Sequence, residues 1–287
     1  MFRIGEDLVA IVTDTSCDLS DEQLARYDIR AVPLRIITST GEYRDRYDIT
    51  HEELYQILAG GEIPKTSLPQ PGELSAVYRQ LKEEGCTHIL HMCISSGLSG
   101  TCNMVSILAQ ETEDLTVTVF DAKTLSCGLG LLVLEAAECL EKGMPVADVV
   151  SRLNHLRANQ LGAFVIRTLE YLRKGGRIGL VEGVVGTLLK IKPVIHVNDD
   201  GVYATLIKAR GFSRALEAMQ EEFFRRYQGR KVRVAIVHGN AETEAHHLLN
   251  LFRERLEVVT GFVSPVSPAL AIHTGPGLLG DIVQYTD

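Results

Sequence analysis

The chain has 287 residues, 45% of them hydrophobic and 23% charged, and a formal net charge of −8. That leaves room for roughly two globular domains, and the acidic balance excludes a nucleic-acid binder, which needs a basic footprint. No apolar run approaches the ~18 residues that span a bilayer, and the six cysteines are scattered without a C-x-x-C pair.

In the first half, strands and helices alternate. Leu8–Thr13 reads as a continuous apolar strand that ends in the acidic, hydroxyl-rich loop Asp14–Asp18. Ser20 with Gln23 forms a capping-box signature for a helix through Tyr27, and Thr50 with Glu53 forms another, stapled by Ile49 and Leu54. Between them Ile29–Ile37 reads as a second apolar strand. The second of these helices stops at Gly60-Gly61 and is followed by the Pro-rich segment Pro64–Pro71. A helix ending at Gly85 leads to strand His88–Ile94, helix Ser99–Gln110 and strand Leu115–Phe120. Helices Gly128–Glu141 and Val146–Ala158 close this half. Nearly all-apolar strands alternating with helices predict a parallel sheet covered on both faces.

The second half has a different rhythm. Strands Val194–Val197 and Val202–Ile207 flank Asn198-Asp199-Asp200-Gly201, a short hairpin signal. Helix Ser213–Tyr227, strand Val232–His238, helix Ala241–Leu256 and three short terminal strands follow, predicting a mixed or antiparallel sheet. The expected fold class is therefore α/β with two domains: 1–160, an α/β/α layer on a parallel sheet, and 161–287, on a mixed sheet.

Three polar segments concentrate the chemistry. Ile94–Thr101 (ISSGLSGT) leaves a buried strand and enters a helix, so Ser95, Ser96 and Gly97 sit where unpaired N–H groups and the helix dipole favour an anion. The serines would serve equally well as simple helix caps. Thr66 and Ser67 lie on what reads as an exposed, proline-stiffened loop, where two hydroxyls can complete an anion's shell or merely shape a turn. His273 ends an expected strand, Ala269–Ile272, and precedes the rigid Gly275-Pro276-Gly277 turn. An imidazole there suits a donor to an anion, and suits a structural role as well.

Other motifs fail their context. Gly275–Gly280 matches G-x-G-x-x-G, but seven residues remain after it, too few for a dinucleotide-binding unit. Gly97-Leu98-Ser99-Gly100-Thr101 resembles a nucleophile elbow with Thr101 in place of the last glycine. A serine hydrolase or acyltransferase using Ser99 or Ser95 with His273, oriented by Asp121 or Asp14, stays open as the alternative. His88 and His91 fall on opposite faces of one strand and His246 and His247 are adjacent on a helix, so no metal site is expected.

The arrangement resembles the DegV family, the fatty-acid-binding proteins that serve bacterial fatty acid kinase. The resemblance rests on Val12–Leu19 (VTDTSCDL), Lys65–Pro71 (KTSLPQP), Ile94–Thr101, Asp121–Gly130 (DAKTLSCGLG), Leu169–Ile178 (LEYLRKGGRI), Lys192–Val197 (KPVIHV) and His273–Gly277 (HTGPG). It implies a two-domain protein that encloses a long-chain fatty acid in an apolar tunnel, carboxylate at the domain junction. Thr66, Ser95, Ser96 and His273 would surround that carboxylate, with Ser67 and Gly97 adjacent and Arg177 in support. A separate ATP-binding kinase would phosphorylate the bound acid for phospholipid metabolism, and this chain, itself non-catalytic and without a cofactor, would carry the acyl phosphate. Where the family commonly has TSQPS, this chain has Thr66-Ser67-Leu68-Pro69-Gln70, which bears on acyl-chain preference.

Candidate tunnel residues are Leu98, Leu129, Phe164, Ile166 and Leu188. Lys208, Arg210 and Arg214 form a basic cluster that would either steer the partner or simply be solvated. Transient contact with a membrane surface is expected, because the ligand enters and leaves a bilayer. The N-terminus carries acids instead of a signal-peptide pattern and the cysteines read as reduced thiols, so a cytoplasmic location is expected.

Overall fold

The computed structural model describes residues 1–179, 181 and 191–286. Two large sheets and one small one organise them. In the first, Asp7–Asp14, His88–Cys93 and Thr116–Asp121 run parallel, as their apolar character predicts. The outer edge of Asp7–Asp14 is shared by Phe2–Ile4, antiparallel, and Arg30–Val32, parallel. Both capping boxes form as read, opening helices Asp21–Arg26 and His51–Ala59. Helices Pro71–Glu83 and Thr101–Glu111 cover one face of this sheet and Cys127–Glu141 and Val146–Asn159 the other.

The second sheet is mixed and six-stranded. Its order is Tyr203–Arg210, Ile191–Val197, Leu161–Val165, Leu279–Tyr285, Lys231–His238, Glu257–Pro265, and only the last pair is parallel. The hairpin read at Asn198–Gly201 joins the first two strands. Helices Phe212–Tyr227 and Glu242–Arg255 pack on its outer face, while its inner face shares an apolar cluster with helix Cys127–Glu141, helix Pro268–Thr274 and the small sheet.

Three expectations were corrected, each for a local reason. Ile29–Ile37 is not one strand: it breaks at Pro33-Leu34 into Arg30–Val32 and Arg35–Ile37, which belong to different sheets. Proline supplies no N–H to a ladder, so the chain changes partners there. Lys65–Ser67 is not a loop but a strand, antiparallel to Arg35–Ile37, which in turn pairs with Glu42–Arg44. Ala269–Ile272 is not a strand but the middle of helix Pro268–Thr274, entered through Ser267 with proline at the first helical position. The end of the chain is accordingly strand, helix, strand, where three strands were expected. An apolar run this short carries no period of its own, so its flanks decide.

Asp281 is a buried liability of the second sheet. It is fully buried in register with Ala163 and Ile236, and neither carboxyl oxygen has a hydrogen-bond partner. Burial alone pushes its pKa up to about 8. Between the unfolded carboxyl's ~3.9 and that value, the folded protein holds a proton that the unfolded chain has released. Stability should therefore fall by about 1.4 kcal/mol per pH unit across that window as pH rises. Asp281→Asn should flatten this slope in urea unfolding at pH 5, 7 and 9, and an unchanged slope would show that Asp281 does not titrate as a buried acid.

Candidate functional site

Helix Pro268–Thr274 packs against helix His51–Ala59, helix Glu170–Lys174 and strand Lys65–Ser67, so its last turn faces the small sheet. There His273 Nε2 lies 2.9 Å from Thr66 Oγ1, a contact between residues 207 positions apart. Strand Lys65–Ser67 holds Thr66 by pairing it with Ile36. The far side of the imidazole is closed by Gly175, where an added Cβ would stand 2.2 Å from Nδ1. Nδ1 itself is buried without a partner. Burial, reinforced by the positive charge of Arg177, lowers the His273 pKa to about 4, so the ring is neutral at physiological pH. Arg177 turns back through Nη1 to the Gly175 carbonyl at 2.8 Å, which ties the Gly175–Arg177 loop into the same corner.

These groups open on a void of about 740 Å³. Its polar wall is Thr66, Ser67, Ser99, Arg177 and His273, and Leu34, Ile94, Leu98 and Ala269 are among its apolar lining. Leu125, Tyr203 and Leu270 are shared with a second void of about 470 Å³ whose lining is almost wholly apolar, including Phe164, Val237, Val266 and Ile282. A polar chamber and a greasy one thus lie side by side, with the three shared residues in the wall of both.

Thr66, Ser67, Arg177 and His273 are brought together as sequence reasoning expected. Ser95, Ser96 and Gly97 do not line either chamber. The Ser95 hydroxyl donates to the Gly201 carbonyl at 2.7 Å, and an added Cβ on Gly97 would meet that same oxygen at 2.6 Å. Ser96 donates to Asp121 at 2.5 Å and accepts from Lys123 at 2.9 Å. The amides expected to await an anion are used within the loop: Gly97 N–H goes to Ser95 Oγ, and the N–H groups of Leu98 and Ser99 go to the Ser95 carbonyl. This loop seats the tip of the Asn198–Gly201 hairpin instead. Ser99, read only as a possible nucleophile or cap, does reach the polar chamber.

Of the tunnel candidates, Leu98 and Phe164 line the voids. Ile166 belongs to the adjoining core and Leu129 to the core on the first sheet. Leu188 lies outside the described residues. Lys208, Arg210 and Arg214 are exposed, with no ion pair among the described residues. No described helix is long and apolar enough to cross a membrane. No group of three or more metal-ligating side chains was found among the described residues.

A hydrolytic triad is not assembled. Ser99 Oγ pairs with Thr101 Oγ1 at 2.9 Å, Ser95 is committed to Gly201, and the Nδ1 face of His273 meets Gly175 where a triad has its carboxylate.

Three carboxylates stand behind the site, and the sequence offers a role for only one of them, Asp14, as an orienter of His273. Asp14, Asp18 and Asp45 are all buried, and burial pushes the last two up to about 7 and about 6. Asp14 accepts from Ile94 N at 2.9 Å and so fixes the end of strand His88–Cys93. Asp18 accepts from Ser267 N at 2.8 Å, and Asp45 from Ala269 N at 3.0 Å, at the start of the helix that carries His273. Their partners lie up to 249 residues away, so no local pattern announces them.

The chain is similar to known proteins along nearly its whole length. The DegV family profile, whose description is of uncharacterised proteins, matches residues 8–285. A DegV domain-containing protein of Clostridium perfringens is 37% identical over 276 residues, covering 96% of this chain and 98% of its own. Among solved structures, a DegV family protein from Thermus thermophilus, described for its fatty acid binding, superposes with a TM-score of 0.89 at 34% identity, covering 96% of this chain and 99% of its own. The Bacillus subtilis DegV, described as a fatty acid binding protein, gives 0.91 at 26% identity, with 98% and 100% covered. A stearic acid-binding protein from Eubacterium ventriosum gives 0.88 at 27% identity, with 97% and 98% covered.

Gly175→Ala should drive a methyl group into the imidazole and displace it, because the backbone there is well ordered by its own hydrogen bonds. A cost of about 1–3 kcal/mol in urea unfolding is expected from the overpacking, together with a raised His273 pKa in a histidine NMR titration as the ring moves toward water. An unshifted titration would mean that Gly175 does not confine the ring.

Proposed function

This chain belongs to the DegV family, and from that premise we propose that it binds a long-chain fatty acid, carboxylate in the polar chamber and acyl chain in the apolar one. The observation that carries the reading is that a polar chamber and an apolar one adjoin, with Leu125, Tyr203 and Leu270 in the wall of both. Such a cavity suits a ligand with one polar end and a long apolar body.

The division of labour follows from magnitudes. A saturated chain with ~14 methylenes gains about 11 kcal/mol on burial at ~0.8 kcal/mol each, from which ordering and desolvation costs are subtracted. The tail supplies affinity, and the polar end fixes orientation and rejects uncharged lipids.

At that end the tautomer matters. A proton on His273 Nδ1 would be a buried donor facing Gly175 with no acceptor, so the proton belongs on Nε2, donating to Thr66 Oγ1. The Thr66 hydroxyl is then free to donate to a carboxylate, with Ser67 and Ser99 beside it and the Arg177 charge close by. Ser95 and Gly97 act one step back, joining residues 1–160 to residues 161–287 through the Asn198–Gly201 hairpin, while Ser96 is tied to Asp121 and Lys123 beside them.

The bound acid would be presented, in the cytoplasm, to a separate ATP-dependent fatty acid kinase, and the chain would carry the resulting acyl phosphate. The exposed Lys208, Arg210 and Arg214 would steer that partner, and exchange of the lipid would take place at a membrane surface.

Purified protein should release an intact fatty acid at near-unit stoichiometry in denaturing mass spectrometry. Thr66→Val should weaken palmitate binding by roughly 1.5–3 kcal/mol, the worth of a hydrogen bond to a charged acceptor, about 10- to 150-fold in Kd. Absence of any palmitate binding by the wild-type chain, or an unchanged Kd in both Thr66→Val and His273→Ala, would overturn this reading.

A further inference from the structure

Two residues at the meeting of the sheets hold backbone conformations that L-residues seldom adopt, and they are hydrogen-bonded to each other. Asp18 closes the turn Thr15–Cys17 with φ 51° and ψ 24°, in the left-handed region. Ser126 precedes helix Cys127–Glu141 with φ 54° and ψ −147°, a region used almost only by glycine. The Ser126 hydroxyl donates to Asp18 Oδ2. Strain of this kind persists where the surroundings over-determine it, and a bystander serine would have been replaced by glycine without loss.

What the pair holds is the helix that bears His273. Asp18 Oδ1 accepts from Ser267 N, and the Asp18 carbonyl accepts from Ser264 Oγ at 2.6 Å, so one residue grips the incoming chain at two points. Asp45 takes the next free amide, Ala269 N, with its other oxygen bound by Thr15 Oγ1 at 2.6 Å. The first orphan amides of helix Pro268–Thr274 are thereby met by two carboxylates from another part of the chain. At seven residues the helix is too short to keep its place unaided. Its last turn carries the imidazole that meets Thr66.

We propose that Asp18, held by Ser126 and seconded by Asp45, is a positioning residue for ligand binding: it clamps the start of helix Pro268–Thr274 across the junction and so sets His273 against Thr66 in the polar chamber. Asp18 and Asp45 line neither chamber, and of the clamp only Ser126 borders the apolar one. The clamp's effect on affinity passes through the placement of one ring. That affinity effect rests on the fatty-acid reading above, whereas the placement of the ring does not.

The test has two independent readouts: palmitate affinity by calorimetry, and the His273 ring signals in histidine-labelled protein, assigned by their loss in His273→Asn. Ser126→Gly removes the hydroxyl and relieves the backbone, so thermal stability should hold or rise while palmitate affinity falls at least fivefold and the His273 signals shift. Asp18→Ala should lower affinity at least tenfold, and Asp18→Asn, which keeps an acceptor for Ser267 N, should recover most of it. Leu81→Ala, in the outer core of the first sheet, serves as a destabilised control that should leave both readouts unchanged. His273 signals identical to wild type in Ser126→Gly and Asp18→Ala would overturn the clamp, as would affinity losses that merely track stability across all four variants. Wild-type protein that binds no palmitate while the ring signals still shift would sink the ligand reading and leave the clamp standing.

Discussion

Burial of polar groups between two sheets is the constraint on which this structure turns. Asp14, Asp18, Asp45 and His273 all lie at or near full burial, where a charge is costly and an unpaired donor or acceptor nearly as much so. Each therefore has to find a partner, and the partners available are backbone amides and hydroxyls of distant segments. The strand end at Ile94, the break at Leu34 and the helix start at Ser267 and Ala269 are tied to one another through these groups. A site placed on such a frame is rigid because moving any member would expose the others.

The same burial sets the charge of the chamber. With its pKa near 4, His273 stays neutral and adds no second charge beside Arg177. The positive potential in the chamber comes from one guanidinium, half-buried and turned back on the Gly175 carbonyl. On the proposed reading, one anionic head would be balanced by this cation, with hydroxyls to fix its direction. An apolar wall then begins at once at Leu125, Tyr203 and Leu270.

How much was legible in the sequence depended on range. Ser20 with Gln23 and Thr50 with Glu53 could be read as helix starts because every group in a capping box lies within four residues. The apolar strands of the first sheet and the Asn198–Gly201 hairpin were equally local. Thr66, Ser67, Arg177 and His273 were reached through resemblance, since nothing near any one of them points to the others. The Asp14–Asp18 loop was seen as acidic and hydroxyl-rich, yet its purpose lies in residues 94, 126, 264 and 267. Two local signals were missed: Pro33, which breaks the strand read at Ile29–Ile37, and Ser267-Pro268, where a serine before a proline marks a helix start and outweighs the apolar run after it.

The anion loop at Ser95–Thr101 teaches the converse. Its sequence has every feature of a prepared anion site, and its geometry uses those features internally. Ser95 and Gly97 are small because a backbone carbonyl, Gly201 O, approaches them closely, not because a ligand does. The glycine at 201 is required in turn, since a Cβ there would stand 2.1 Å from Ser95 Oγ, and its φ of 81° favours glycine independently. A serine-glycine loop facing a hairpin glycine is thus a device for bringing two backbones into contact across a junction. Placed beside the polar chamber, that contact holds the two halves of the cavity wall in register, which lets the hydroxyl of Thr66 on one side and the imidazole of His273 on the other meet at hydrogen-bond distance.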